Sequence, residues 1–186
     1  MRSEPRAAAP ATLRAAAARS PGPALPASAA EGRKRRPAPR RTSCGVIVTD
    51  GERILLGRPP RFPLWDIPKG LAEAGEEHAA AALRELREET GLRAPAEALV
   101  SLGVHAYLRT KDLALFAWFR AAAEMPDPAA LRCTSTVRLP DGTRVPEIAQ
   151  FAVLPWAEAL GRVGGNLARL LGPIRDAPPW PVAPGG

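Results

Sequence analysis

The stretch GLAEAGEEHAAAALRELREETGL, residues 70–92, decides the fold, and it follows directly on the segment LWDIPKG. Apolar residues recur within it at helical spacing, so we predict a helix from about Glu77 to Thr90. Gly91 follows at the position where a left-handed residue commonly ends a helix. One side of this helix is expected to pack against a sheet, and it carries Ala79, Leu83, Leu86 and Thr90.

Three glutamates fall on the other side of the predicted helix. Glu85, Glu88 and Glu89 are neighbours on a helix surface because they are spaced at i, i+3 and i+4. Carboxylates that lie so close repel one another and raise each other's pKa. Arg84 supplies one opposite charge at most. A hard divalent cation with oxygen ligands is the natural counter-charge, so the spacing predicts a metal site on this face.

This stretch resembles the signature of a known family, the Nudix box. The matching positions are Gly70, Glu76, Arg84, Glu85, Leu86, Glu88, Glu89, Gly91 and Leu92. The resemblance implies an α/β fold, an α/β/α sandwich with a mixed sheet, over roughly residues 42–172. It also implies a hydrolase of nucleoside diphosphates linked to another group, with Mg²⁺ or Mn²⁺ as the cofactor. Glu85, Glu88 and Glu89 are then the expected metal ligands, and Glu76 is expected to pair with Arg84.

A second, shorter motif precedes the box. The sequence WDIPKG, residues 65–70, resembles the dinucleoside polyphosphate hydrolase branch of the family, and also the diphosphoinositol polyphosphate hydrolases. Lys69 stands next to the acidic helix and is expected to meet a phosphate. Trp65 is either part of the core or a platform for a base. Tyr107 and Lys111 are further substrate-binding candidates, because strand residues line such sites in related hydrolases.

One carboxylate must act as the general base in a metal-assisted attack of water on phosphorus. Family members differ on which residue this is, so Glu85 and Glu147 both stay open. Glu147 lies in PEIAQFAVLP, residues 146–155, which resembles the stretch where several relatives place an extra glutamate. The alternative for Glu147 is a loop carboxylate in solvent.

The preferred substrate is a dinucleoside polyphosphate such as diadenosine tetraphosphate. Two alternatives within the enzyme class are an RNA 5′-pyrophosphohydrolase and a pyrophosphatase for damaged nucleotides. A domain that binds a nucleotide and acts as a sensor belongs to another class, and the intact box argues against it. The sequence leaves the oligomeric state open.

Hydrophobic runs on both sides of the box predict the remaining elements. The closing helix, weakened by Gly164 and Gly165, is expected to pack on the sheet face opposite the box helix. The expected strands are 43–49, 53–56, 98–108, 113–119 and 151–154, a hairpin is expected from 131–138 and 143–145, and the closing helix from 156–171.

Charge is divided unevenly along the chain. Residues 1–41 hold 10 Lys and Arg against 2 Asp and Glu, whereas residues 42–186 hold 16 against 17. The domain is therefore nearly neutral, which argues against a nucleic-acid-binding face on it. We expect disordered tails at 1–41, rich in Ala, Pro and Arg, and at 173–186, rich in Pro. Three interpretations of the first tail stay open: an arm that contacts RNA, an organellar transit peptide, or an extension without a function.

The other sequence features mainly exclude classes of protein. Cys44 and Cys133 form no CxxC pair and set no disulfide framework. No apolar run is long enough for a transmembrane helix, so no membrane partner is expected. We expect a bacterial cytoplasmic protein, and an organellar one if residues 1–41 are a transit peptide.

Overall fold

The computed structural model describes residues 40–176 of the chain. This part of the chain contains eight strands and three α-helices, with short 3₁₀ turns between some of them. The strands are β1 (Arg41–Thr49), β2 (Arg53–Arg58), β3 (Lys69–Leu71), β4 (Leu99–Leu108), β5 (Lys111–Phe119), β6 (Thr136–Arg138), β7 (Arg144–Pro146) and β8 (Gln150–Pro155). The helices are α1 (His78–Thr90), α2 (Trp156–Arg162) and α3 (Gly165–Asp176).

Strand β1 organises a six-stranded mixed sheet of order β4-β5-β1-β2-β8, with β3 also paired to β1. Its sequence RTSCGVIVT is β-branched and apolar, and every residue from Ser43 to Thr49 is buried. Strand β1 runs parallel to β5 along its whole length and antiparallel to β2 and β3. A strand buried on both faces is expected to read as a near-continuous apolar run, as this one does.

Helices cover both faces of the sheet. Helix α1 packs on one face over a core that includes Val46, Leu55 and Leu86. Helices α2 and α3 pack on the other face, where Trp156 and Leu167 join a second core. This is the predicted α/β/α sandwich, and the closing helices lie opposite the box helix as expected. Strands β6 and β7 form a separate small hairpin.

The box helix forms nearly where the sequence placed it, but one face differs from the prediction. Gly91 ends α1 in the left-handed region, with φ of 80°. The buried residues of the helix are Ala81, Ala82, Leu86, Glu89 and Thr90. Glu89 is only 4% exposed and the Glu85 side chain only 12%, so both carboxylates lie in the interior, against β3. The prediction that all three glutamates fall on the side away from the sheet was therefore wrong for these two. Leu83, predicted to pack on the sheet, is only partly buried.

The domain is slightly longer at both ends than the predicted range 42–172. Arg41 already opens β1, and Arg40 before it donates hydrogen bonds to Asp112 and to backbone carbonyls of the β4–β5 turn. Helix α3 continues to Asp176. Of the tails predicted as disordered, 1–41 and 173–186, Arg41 lies in β1 and residues 173–176 lie in α3, whereas residues 1–39 and 177–186 lie outside the described part. Within residues 40–176, no helix is long and apolar enough to span a membrane.

Candidate active site

Gly70 and Glu85 form the closest contact between β3 and the box helix. A Cβ atom built on Gly70 would lie 2.1 Å from the carboxylate of Glu85, well inside van der Waals distance. The Glu85 side chain is only 12% exposed. Glycine at position 70 therefore makes the room in which this carboxylate sits against the backbone of β3.

Arg84 connects the acidic side chains of the box. Its guanidinium lies 2.9 Å from Glu76, 2.7 Å from Glu85 and 3.5 Å from Glu88, and it also donates to the Leu71 carbonyl. The expected pair between Glu76 and Arg84 is thus present. Arg84 lowers the pKa of Glu76 to about 2, mainly through the hydrogen bond between them. This network fastens the loop before α1 to the helix.

Glu89 also lies against β3, in the interior between α1 and that strand. Its Oε2 accepts a hydrogen bond of 2.8 Å from the backbone N–H of Lys69. Burial, together with the charges of Glu147 and Glu85 and against the opposing effect of Lys69, raises the pKa of Glu89 to about 8. A buried carboxylate held this way needs positive charge from outside the helix to ionise at neutral pH.

Glu147 lies close enough to Glu85 and Glu89 for its charge to act on both of them. It is exposed and follows β7, and its backbone N–H donates to the Ser135 carbonyl. Burial raises the pKa of Glu85, Arg84 opposes this shift, and the charges of Glu88 and Glu147 add to it. Glu85 thus interacts electrostatically with each of the other three candidate carboxylates, of which Glu147 comes from a distant loop.

The donor chemistry of this group fits a hard divalent cation. Carboxylate oxygens are the ligands that Mg²⁺ and Mn²⁺ prefer, and their mutual repulsion leaves a need for positive charge. As the side chains stand, no group of three His, Cys, Asp or Glu among residues 40–176 is arranged to hold a metal ion. Their oxygens are instead taken by Arg84 and by the Lys69 N–H. Glu85, Glu88 and Glu89 remain the candidate ligands.

Lys69 joins the carboxylates to a neighbouring cavity. Its ammonium group lies 2.6 Å from Asp66, and burial is outweighed by Asp66, Tyr107 and Glu89, so the pKa of Lys69 is raised. Asp66 itself lines a cavity of about 350 Å³ on the α2–α3 side of the sheet. The lining includes Phe62, Trp65, Asp66, Tyr107, Leu108 and Asn166. This volume lies at the small end of the range for ligand sites.

Two of the four predicted substrate residues line this cavity, and the other two interact with residues near it. Trp65 and Tyr107 both line it, so each has an exposed part as well as a contact with the core. Lys111 begins β5 and lies close enough to Lys69 for the two charges to interact. Tyr107 also lies close enough to Asp66 and Lys69 for their charges to shift its pKa. The structure thus brings Lys69, Trp65, Tyr107 and Lys111 to one region.

Two residues of this region were not predicted from the sequence. Asp66 pairs with Lys69, and the guanidinium of Arg58 lies 5.6 Å from the centre of the Trp65 ring while donating to Gln150. Asp66 stands inside the WDIPKG motif, so its place in the motif was an available signal. Arg58 carries no local signal, because its contact with Trp65 depends on the Gly57–Asp66 bridge.

A larger cavity, of about 610 Å³, lies along β8 and is lined by residues such as Leu131, Cys133 and Phe151. Its lining holds no carboxylate and one cation, Arg132, whose guanidinium already donates to backbone carbonyls. This cavity is therefore larger than the first one, but its lining lacks the charged groups that a nucleotide-hydrolysing site needs. Asp66, which lines the smaller cavity, pairs with Lys69, and the Lys69 backbone N–H donates to Glu89, so this chemistry favours the smaller cavity as the candidate site.

Comparison with known proteins agrees with this geometry. A family model described as the NUDIX domain matches residues 39–164, more than half of the chain. An uncharacterized 17.7 kDa protein of Enterobacteria phage T4 is 37% identical over 139 residues, which cover 69% of this chain and 91% of that protein. A putative 8-oxo-dGTP diphosphatase of Bacillus subtilis is 31% identical over 98 residues, which cover 51% of this chain and 66% of that protein.

The fold also matches solved structures. A C. elegans Ap4A hydrolase, solved as a binary complex, superposes with a TM-score of 0.51 and 18% sequence identity. The match covers 72% of this chain and 96% of that one. At this level of identity the likeness concerns the fold alone.

Proposed function

Because the chain belongs to the Nudix family, whose enzymes are hydrolases acting on acid anhydrides, we propose that it cleaves a pyrophosphate bond in a dinucleoside polyphosphate. Diadenosine tetraphosphate is the preferred example. The proposed products are two nucleotides, formed by attack of water on one phosphorus of the bridging chain.

The observation that carries this proposal is the continuous path from the acidic group to the aromatic cavity. Glu89 accepts from the Lys69 backbone, the Lys69 ammonium pairs with Asp66, and Asp66 lines the cavity with Trp65 and Tyr107. A nucleoside needs an aromatic or apolar pocket, and a polyphosphate chain needs cations and metal ligands. Along this path, the aromatic pocket that suits a nucleoside lies next to the charged groups that suit a polyphosphate chain.

In the proposed complex, Trp65 and Tyr107 contact one base, whereas Lys69 and Lys111 meet phosphate oxygens. Trp65 presents a flat ring backed by the Arg58 guanidinium, which holds the ring in place. The Lys69 side chain is 17% exposed and its ammonium group pairs with Asp66, so only part of that group is open to a phosphate. These four residues are the proposed substrate contacts.

Glu85, Glu88 and Glu89 would hold Mg²⁺ or Mn²⁺. Such an ion supplies charge neutralisation at phosphate oxygens and a lower pKa for bound water. Glu85 and Glu147 are the two candidates for the general base. Glu85 is fixed against Gly70 and Arg84, whereas Glu147 is exposed on a loop and free to reorient. A general base must be able to reach the attacking water and take up its proton, and both carboxylates remain in the proposal.

A pyrophosphatase for damaged nucleoside triphosphates is the second candidate. It is favoured by the similarity to the putative 8-oxo-dGTP diphosphatase and by the small volume of the cavity, which fits one base. An RNA 5′-pyrophosphohydrolase is the third candidate, and a nucleotide sensor stands outside the enzyme class. A sensor would bind the nucleotide without releasing phosphate.

The test is turnover on a matched panel with identification of the products. Diadenosine tetraphosphate, 8-oxo-dGTP, dGTP and 5′-triphosphorylated RNA would be supplied at equal concentration with Mg²⁺ or Mn²⁺. We expect the highest kcat/KM on diadenosine tetraphosphate, with metal-dependent release of two nucleotides. Binding of nucleotide without turnover on any of the four would instead identify a sensor. Trp65→Ala is expected to raise KM more than it lowers kcat, and Trp118→Ala, which removes another indole of the domain, serves as the stability control.

A further inference from the structure

The cavity of about 610 Å³ along β8 is larger than the cavity at Trp65, which has about 350 Å³. The smaller cavity has room for one base, whereas a dinucleoside polyphosphate carries a nucleoside at each end. A nucleoside binds best in a concave and largely apolar surface. The larger cavity offers such a surface, because Leu131, Ile148 and Phe151 contribute to its lining.

The wall of the larger cavity adjoins residues of the acidic group. Ile148 lines the cavity and directly follows Glu147, one of the two candidates for the general base. Cys133 lines it as well, and the next residue, Thr134, donates from its backbone N–H to the Glu88 carbonyl at 2.7 Å. The cavity therefore lies beside the backbone segments that carry Glu147 and Glu88.

The two cavities lie on opposite faces of the sheet and meet at the end of β2. Phe151 of the larger cavity packs on the core under α1, whereas Trp65 of the smaller one packs on the core under α2 and α3. A Cβ on Gly57 would lie 2.8 Å from Cγ2 of Ile148 in the larger cavity. The Gly57 N–H donates at 2.8 Å to the carbonyl of Asp66, which lines the smaller cavity. A chain that joins ligands in both cavities therefore passes the end of β2.

Gln150 offers a hydrogen-bond donor in the larger cavity. Its side-chain oxygen accepts from the Arg58 guanidinium at 3.1 Å, and Arg58 also lies over the Trp65 ring of the smaller cavity. A guanidinium has donors only, so Gln150 must turn its oxygen towards Arg58 and its amide nitrogen elsewhere. Within residues 40–176 this nitrogen donates no hydrogen bond. A purine base carries acceptor atoms such as N7 on its edge and can use this donor.

We propose that the cavity along β8 binds the second nucleoside of the dinucleoside polyphosphate, whose base packs on Phe151 and accepts a hydrogen bond from the Gln150 amide. This inference rests on the proposed function. The first nucleoside occupies the cavity at Trp65, and the phosphate bridge passes the acidic group between the two cavities. A mononucleotide with the same number of phosphates leaves the second cavity empty, so this cavity selects for substrates with two nucleosides.

The first test fills the cavity and compares two substrates that carry equal numbers of phosphates. Ala149 lines the cavity and is exposed, so Ala149→Phe adds a ring there without disturbing the core. Ala123→Phe is the matched control, because Ala123 is exposed and lines neither cavity. We expect Ala149→Phe to lower kcat/KM on diadenosine tetraphosphate roughly 10-fold, as the loss of one base–aromatic contact implies. Its effect on adenosine 5′-tetraphosphate, and that of the control on both substrates, should stay below about twofold.

The second test measures occupancy of the cavity without turnover. The chain has two cysteines, of which Cys44 is fully buried and Cys133 is partly exposed in the cavity wall. Alkylation of Cys133 by iodoacetamide would be followed by mass spectrometry without added metal, with Cys133→Ser as the blank. Diadenosine tetraphosphate at about ten times its Kd should slow the reaction roughly 10-fold by mass action. Adenosine 5′-tetraphosphate should not slow it.

Two results would overturn the second nucleoside subsite. One is an alkylation rate that diadenosine tetraphosphate leaves unchanged, or that both nucleotides slow equally. The other is an equal loss of kcat/KM on the two substrates in Ala149→Phe. Protection of Cys133 without turnover of any dinucleoside polyphosphate would overturn the proposed function instead and leave the subsite standing.

Discussion

Gly70 lies so close to Glu85 that a single added methyl group would meet the carboxylate at 2.1 Å. The contact involves the end of a flexible side chain, so the backbone need not move to relieve it. Gly70→Ala is therefore expected to displace Glu85 while the fold survives. The expected loss of activity is about 10- to 100-fold, as for residues that orient metal ligands.

Activity and thermal unfolding would be measured together for this variant. Gly172→Ala in α3 is the matched control, because a Cβ there meets nothing within 4 Å. It should leave both quantities nearly unchanged. Full activity in Gly70→Ala would show that Glu85 does not need its observed position.

The proposed metal ligands give a direct prediction. Glu88→Gln and Glu89→Gln should each lower turnover by at least about 100-fold, because they remove charge without changing volume. Isothermal titration with Mn²⁺ should show weaker binding in both variants, and Glu97→Gln, an exposed carboxylate outside the box, should behave as wild type. Near-normal rates at low Mg²⁺ in both variants would exclude them as ligands.

Glu76 predicts a pH dependence of stability. The folded state lowers its pKa from 4.5 to about 2, so its contribution is fully present above pH 4.5 and is lost as the pH falls towards 2. Glu76→Gln should therefore unfold more readily than wild type at pH 7, and the difference should shrink between pH 4.5 and pH 2. Urea unfolding at several pH values measures this, and a difference that stays constant over that range would contradict the assignment to the Arg84 pair.

Lys69→Ala is expected to lower kcat/KM by about 10- to 100-fold, the equivalent of one charge-assisted contact to phosphate. Part of this loss comes from Asp66, which would be left as an unpaired negative charge beside the substrate. The double variant Lys69→Ala, Asp66→Asn should therefore recover part of the activity. If the double variant is no better than the single one, the ion pair does not tune the site.

The start of the domain can be tested by two truncations that differ in one residue. Removal of residues 1–39 should leave activity on a small nucleotide within about twofold, because the described domain begins at Arg40. Removal of residues 1–40 also deletes the hydrogen bonds from Arg40 to Asp112 and the hairpin carbonyls. A lower unfolding temperature is expected only for the second truncation, and equal temperatures would show that Arg40 is dispensable.

The sequence was informative where the structure depends on local spacing. The helix from about Glu77 to Thr90, the Gly91 end and the positions of the longer strands along the chain follow from periodicity and turn residues, and they were predicted nearly in place. The buried face of α1 was predicted only in part. Four consecutive alanines, residues 79–82, give a helix small apolar positions in every direction, so the hydrophobic pattern does not fix its orientation.

Long-range pairing set the remaining features of the site. The stacking of Arg58 on Trp65 and the pairing of Arg41 with Lys111 depend on which strands are neighbours. Periodicity along one strand does not contain that information. The resemblance to a family identified the candidate carboxylates and cations. The structure was needed to show which of them are neighbours in space.

The parallel pairing of β1 with β5 has a consequence for folding. The β4–β5 hairpin and α1 consist of contacts between residues near in sequence, so they can form early and independently. Strands β1 and β5 are parallel, and parallel partners need a long connection. We therefore expect them to pair after the intervening helix and hairpin have formed. Lys69 on β3 and Lys111 on β5 are brought together by that same step. The binding surface is thus expected to assemble late, after most of the secondary structure of the domain has formed.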